Sequence, residues 1–78
     1  MISSSEIITL INDKCTVDIN NDELNLFESG LVDSFVIFSV LLPAIMDKYG
    51  IDVLPTDLIP ENFETPKAIS DYVNRKLA

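Results

Sequence analysis

The sequence has 78 residues, 47% of them hydrophobic, and a formal net charge of −8 that comes from 13 acidic and 5 basic side chains. A chain of this size forms one small domain with a modest core, which leaves no room for a large catalytic cleft. The acidity argues against nucleic acid as a partner, the lack of histidine removes the commonest general base and metal ligand, and a single cysteine excludes an internal disulfide.

The first predicted helix spans about residues 4–15. Serines at positions 3, 4 and 5 offer N-caps, and Ile7, Ile8 and Ile11 follow at helical spacing. Cys15 falls on the same apolar stripe, which favours a place in the core over a reactive role. The first six residues show neither a basic region nor an apolar run of the secretory type, so we expect a cytoplasmic protein.

A long connection, residues 16–30, is rich in Asp and Asn. It also contains Leu24, Leu26 and Phe27, and we expect these side chains to pack against the core and hold the connection there. Its acidic stretch begins like a calcium-binding loop. The position that needs glycine holds Glu23, however, and the position that needs a bidentate glutamate holds Ser29. We therefore expect no metal site here.

The second predicted helix, residues 34–49, is apolar at every position from 35 to 46 except Ser39 and Pro43. The apolar run is too short to cross a bilayer, which takes about 20 residues, so no membrane insertion is expected. A helix that is apolar on nearly all sides is buried on most of them or serves as a contact surface. Because Pro43 lacks an N–H, the helix should kink or bulge near it.

Gly50 is a candidate left-handed C-cap, and a short turn is predicted at 56–59 before Pro60. The last helix should begin with Thr65 as N-cap and Pro66 at its first position. Its predicted apolar face consists of Ile69, Tyr72, Val73 and Leu77. No strand pattern occurs, so the fold class is all-α, a small bundle of three to four helices.

Four segments together form a known pattern: Leu-Phe-Glu-Ser-Gly-Leu-Val-Asp-Ser-Phe at 26–35, Lys-Tyr-Gly-Ile-Asp-Val at 48–53, Glu-Asn-Phe-Glu-Thr-Pro at 61–66, and Ala68-Ile69. With them the chain resembles the phosphopantetheine-dependent carrier proteins, which include acyl carrier proteins, D-alanyl carrier proteins and peptidyl carrier domains. The resemblance implies one carrier domain, 1–78, of the acyl carrier protein fold, without enzymatic activity of its own.

In that family the serine of an Asp-Ser-Leu motif carries covalent 4′-phosphopantetheine. The resemblance assigns this role to Ser34, with Phe35 in place of the leucine. The implied partners are a phosphopantetheinyl transferase, an acyl- or aminoacyl-loading ligase and downstream transferases, and the implied state is a monomer.

The chain also departs from the family pattern. Its second helix carries only Asp47 as an acid after Ser34, and the stretch up to Tyr49 is one residue longer than usual, a surplus that a π-bulge at Pro43 would absorb. The expected partner-recognition residues are Asp33, Phe35, Val36, Phe38 and Leu42, and some of the apolar ones, or Met46, should remain exposed.

Among carriers, these departures most favour a carrier of a specialised pathway. A D-alanyl carrier comes second and a carrier of fatty-acid synthesis third. The alternative is an unmodified helical protein-interaction module in which Ser34 is only a helix-start residue.

Overall fold

The computed structural model describes residues 1–78 and consists of helices and connections without a strand. The helices are α1 (Ser4–Cys15), α2 (Leu26–Ser29), α3 (Ser34–Val36), a π-helical segment (Ile37–Leu41), α4 (Leu42–Tyr49), a 3-10 turn (Pro55–Asp57), α5 (Pro60–Phe63) and α6 (Pro66–Leu77). The π segment joins α3 to α4 without a break, and we call these three pieces the central helix. The predicted all-α bundle is confirmed.

The helix α1 runs antiparallel to both α6 and the central helix, which therefore run in the same direction as each other. At one end, the Tyr49 hydroxyl lies 3.2 Å from Glu6 Oε2, so the end of the central helix meets the start of α1. The Asn74 side chain accepts from the Ile2 N–H at 2.9 Å and donates to the Ile2 carbonyl, which places the end of α6 there too. The central helix therefore begins, with Ser34, at the opposite end of the bundle.

The core consists of fifteen apolar side chains drawn from every part of the chain: Ile7, Leu10, Ile11, Ile19, Leu26, Val32, Ile37, Leu41, Leu42, Ile45, Ile51, Phe63, Ile69, Tyr72 and Val73. Phe63, which is 1% exposed, lies between two aromatic rings, with ring centroids 6.0 Å from Phe38 and 5.2 Å from Tyr72 in edge-to-face geometry. This contact fastens α5 to both the central helix and α6. Leu77, predicted on the buried face of α6, is 48% exposed because α6 ends beyond the core.

The long connection 16–30 is held against the bundle, as predicted. The Asn12 side chain accepts from the Ile19 N–H at 2.8 Å and donates to its carbonyl at 2.9 Å. Further along, the Leu26 N–H donates to the Glu64 carbonyl at 2.6 Å, and Leu26 is fully buried. Besides these contacts, the structure shows one turn of helix, α2, where the sequence predicted only a loop.

Cys15 packs against the core, as its position on the apolar stripe predicted. Partial burial raises the pKa of its thiol, so the thiol stays protonated and is a poor nucleophile near neutral pH.

The central helix is irregular just before Pro43, which confirms the predicted π-bulge. The Leu42 N–H donates to the carbonyl of Ile37, five residues back rather than four, and Pro43 follows directly. The wider turn absorbs one surplus residue and rotates the second half of the helix relative to the first. As a result Leu42 turns into the core, with 8% of its surface exposed, so the expectation that it faces a partner is wrong.

The connection after Gly50 differs from its prediction. Gly50 is the expected left-handed cap, with φ 64°. The single turn expected at 56–59 is instead a 3-10 turn at Pro55–Asp57, followed by the separate helix α5 from Pro60.

No helix of the structure is both long and apolar enough to cross a membrane.

Asp57 joins the 3-10 turn to α6. Its carboxylate accepts from the Tyr72 hydroxyl at 2.8 Å, from the Lys76 ammonium at 3.2 Å and from the Leu54 N–H at 3.2 Å. The hydrogen bond from Tyr72, aided by the one from Leu54 and by Lys76, lowers the pKa of Asp57, while burial and the same carboxylate raise the pKa of Tyr72.

The lowered pKa predicts an acid-dependent loss of stability. A carboxylate whose pKa is lower in the folded than in the unfolded chain stabilises the fold above the unfolded value of about 4, and this contribution disappears as the pH falls through the folded pKa. Asp57→Asn should therefore flatten the fall in unfolding free energy between about pH 5 and pH 2. Urea denaturation across that range measures it. Asp52→Asn, an exposed acid in the same connection, is the control, and equal slopes in both variants would contradict the role of Asp57.

Candidate functional site

Ser34 occupies the first position of the central helix, with its side chain exposed. The chain reaches it from Gly30, whose φ of 73° turns the backbone out of α2, and from Val32, which is 2% exposed and anchors the approach in the core. Asp33 then adopts an extended conformation and caps the helix, because its Oδ1 accepts from the Val36 N–H at 2.8 Å. Buried and capping neighbours thus hold Ser34 at the surface.

The hydroxyl of Ser34 has no partner in the chain that could activate it. It makes no side-chain hydrogen bond, and the chain contains no histidine to act as its base. The N–H groups of a helix's first turn lack acceptors within the helix. Here the Asp33 carboxylate accepts a hydrogen bond from one of them, the N–H of Val36. The N–H groups of Ser34 and Phe35 therefore remain available to an anion attached at this point. No group of three or more His, Cys, Asp or Glu side chains is placed to hold a metal ion.

Apolar side chains surround Ser34 on the surface. Phe35 is 76% exposed, Leu31 is 52% exposed, and Phe38 is 39% exposed one turn further along the helix. Val36 and Met46 are half-buried. The structure thus brings Asp33, Phe35, Val36 and Phe38 together near Ser34, and Leu42 does not reach this surface.

Sequence reasoning did not single out five exposed apolar residues within the chain, namely Leu31, Val40, Leu54, Leu58 and Ile59. The last three lie in the connection between the central helix and α5. A signal was available in the sequence. Leu54 directly precedes Pro55, Leu58 and Ile59 directly precede Pro60, and the three have no helical or strand period that would bury them.

Comparison with known proteins gives one informative similarity. No family model matches the chain, and no solved structure matches it. The D-alanyl carrier protein of Abiotrophia defectiva is 27% identical to it over 75 residues, which cover 94% of each chain. The similarity therefore spans the whole fold and confirms the resemblance to carrier proteins.

Proposed function

We propose that this chain is a carrier protein that holds acyl or aminoacyl groups as thioesters on 4′-phosphopantetheine attached to Ser34. The observation that carries the proposal is the exposed Ser34 hydroxyl at the first position of the central helix, directly after the capping Asp33. The similarity over 94% of the chain to a protein named as a D-alanyl carrier supports it.

The geometry around Ser34 fits a phosphodiester. The exposed hydroxyl is open to an approaching enzyme, and the free N–H groups and partial positive charge of the helix start favour a phosphate there. Because Ser34 has no base within the chain, the transferase that attaches the group has to supply the base. When attached, 4′-phosphopantetheine supplies a thiol at the end of a flexible arm, which forms thioesters and delivers them to several enzymes at high effective concentration.

Three kinds of partner follow from this role: a phosphopantetheinyl transferase, an acyl- or aminoacyl-loading ligase, and the transferases that accept the cargo. We propose that they recognise Asp33, Phe35, Val36 and Phe38, the recognition residues that border Ser34 on the surface. The name of the relative makes D-alanine the first cargo to test. The apolar central helix, with Asp47 as its only acid after Ser34, favours a carrier of a specialised pathway.

Asp33→Asn separates the two roles of Asp33. Asparagine caps a helix about as well as aspartate, so the unfolding free energy should change little, by less than about 0.5 kcal/mol. The loss of the negative charge should slow modification if the transferase recognises the Asp33 carboxylate through that charge. The rate of modification, followed by intact mass, measures the effect, and an unchanged rate would show that the charge takes no part in docking.

Intact mass after co-expression with a broad-specificity phosphopantetheinyl transferase tests the proposed function. We expect the added mass of one phosphopantetheinyl group per chain. An unmodified chain would favour the alternative, a helical interaction module that uses its exposed apolar side chains and has Ser34 only as a helix-start residue.

A further inference from the structure

Three aromatic rings fill the interior of the bundle beside the attachment point at Ser34. Phe38 lies one turn beyond Ser34 in the central helix and is 39% exposed, whereas Phe63 and Tyr72 are 1% and 2% exposed. Their edge-to-face contacts lead inward from the surface, since the Phe63 ring lies between those of Phe38 and Tyr72. We call these three rings the aromatic plug, and it occupies the space between the central helix, α5 and α6.

Hydrogen bonds fix the Tyr72 ring of the aromatic plug. The Tyr72 hydroxyl donates to the Asp57 carboxylate at 2.8 Å, and the same carboxylate accepts from the Lys76 ammonium at 3.2 Å. A movement of the ring out of the interior would break the bond to Asp57 and expose apolar ring surface to water. Both effects hold the ring in the interior.

Helix α5, which carries Phe63, is bound on both of its sides. The Asn62 side chain donates to the Asp57 carbonyl at 2.8 Å and accepts from the Arg75 guanidinium at 2.8 Å. After the end of α5, the Glu64 carbonyl accepts from the Leu26 N–H at 2.6 Å. A movement of α5 that made room beside the central helix would therefore break its bonds to the 3-10 turn, α6 and α2 and also uncover Phe63.

The hollows of the surface lie away from Ser34. One hollow, with Asp71 and Arg75 in its lining, lies at the end of α6. The other, with Asp47 and Asp52 in its lining, lies at the end of the central helix. Neither suits an alkyl chain, because charged side chains lose hydration when an apolar group covers them.

The chemistry of the cargo decides whether a carrier needs an interior space for it. A long alkyl chain at the end of the arm exposes apolar surface to water, and burial in the carrier would remove that surface from water. A small cargo with an ammonium or hydroxyl group is well hydrated, and burial would cost it that hydration. An interior that is filled and held closed therefore suits the second kind of cargo.

From these observations we infer that the cargo on Ser34 stays outside the bundle and is a small, polar acyl group, with aminoacyl groups as the clearest case. The aromatic plug determines this specificity, and Phe63 is the residue that excludes long alkyl chains. This assignment rests on the proposed carrier function and narrows its cargo.

The test compares an octanoyl cargo with an alanyl cargo on the full-length protein. A broad-specificity phosphopantetheinyl transferase moves the acylated arm from acyl-coenzyme A to the Ser34 hydroxyl and releases adenosine bisphosphate, and intact mass confirms the loading. Neither cargo should shift the urea midpoint of the wild-type holo-protein, because a group that stays in solvent favours neither the folded nor the unfolded state. Hydroxylamine should cleave the octanoyl thioester within about twofold of its rate on free phosphopantetheine, because protection reflects only the population of a buried state.

Phe63→Ala tests the role of the aromatic plug. The octanoyl cargo should raise the urea midpoint of this variant and the alanyl cargo should not, because only the alkyl chain fills the cavity that the ring leaves. Phe63→Leu takes its place if the alanine variant does not fold. Leu77→Ala is the matched control, because Leu77 is 48% exposed at the end of α6, and the octanoyl cargo should leave its midpoint unchanged.

The opposite results each overturn a definite claim. A raised midpoint of the octanoyl wild-type protein, or cleavage slowed by about tenfold or more, would show that the interior opens to an alkyl chain and would overturn the cargo class. An octanoyl cargo that stabilises neither Phe63 variant would overturn the role of Phe63. A wild-type chain that the transferase leaves unmodified, even with unacylated coenzyme A, would instead remove the proposed function itself.

Discussion

Ser34→Ala should abolish attachment of phosphopantetheine completely, while the protein remains folded. The variant removes the hydroxyl that becomes the ester oxygen, and no neighbouring residue can take its place at the start of the central helix. Stability should change by less than about 1 kcal/mol, because the helix cap is Asp33 and not Ser34. Intact mass after co-expression with the transferase, together with far-UV circular dichroism, measures both effects.

Ser39→Ala is the matched control for this variant. Ser39 is an exposed serine in the same helix, and its hydroxyl donates to the Phe35 carbonyl. This variant should be modified to the same extent as the wild-type protein. Full modification of Ser34→Ala, or loss of modification in Ser39→Ala, would show that the attachment site has been assigned to the wrong serine.

The largest expected loss of stability comes from Phe63→Ala. Phe63 is buried between Phe38 and Tyr72, so truncation leaves a cavity where α5 meets the central helix and α6. Such truncations cost roughly 3–5 kcal/mol, a large part of the stability of about 4–12 kcal/mol expected for a domain of this size. We expect the variant to unfold at a much lower urea concentration than the wild-type protein.

Urea denaturation compares Phe63→Ala with two other variants. Phe63→Leu keeps most of the apolar volume and should lose less stability, which remains measurable if the alanine variant does not fold. Phe35→Ala removes an equally large ring that is 76% exposed, and it should change the unfolding free energy by less than about 0.5 kcal/mol. Equal losses for Phe35→Ala and Phe63→Ala would contradict the core described here.

Features with local causes could be predicted from the sequence. The span of α1, the left-handed Gly50 and the Thr65 cap each depend on a few neighbouring residues, and the structure has them as predicted. The π segment also has a local cause, because Pro43 has no N–H to offer the carbonyl four residues back.

Features that depend on distant parts of the chain could not be predicted. Whether Leu42 faces partners or the core depends on how far the π segment rotates α4 against α1 and α6, and the apolar pattern of the central helix is too uniform to show it. The helices α2 and α5 have four residues each, too few for a helical period, and tertiary contacts hold them, such as those of Leu26 with Glu64 and of Phe63 with Tyr72. For the same reason the exposure of Leu58 and Ile59 became visible only in the fold.

Fragment-ion mass spectrometry of the peptide that contains Ser34 tests the central claim most directly. The protein is first co-expressed with the transferase and then digested. The account predicts one phosphopantetheinyl group per chain, attached to Ser34, with a free thiol that becomes a thioester when a cargo is loaded. An unmodified Ser34, or the same group on Ser29 or Ser39 instead, would contradict it.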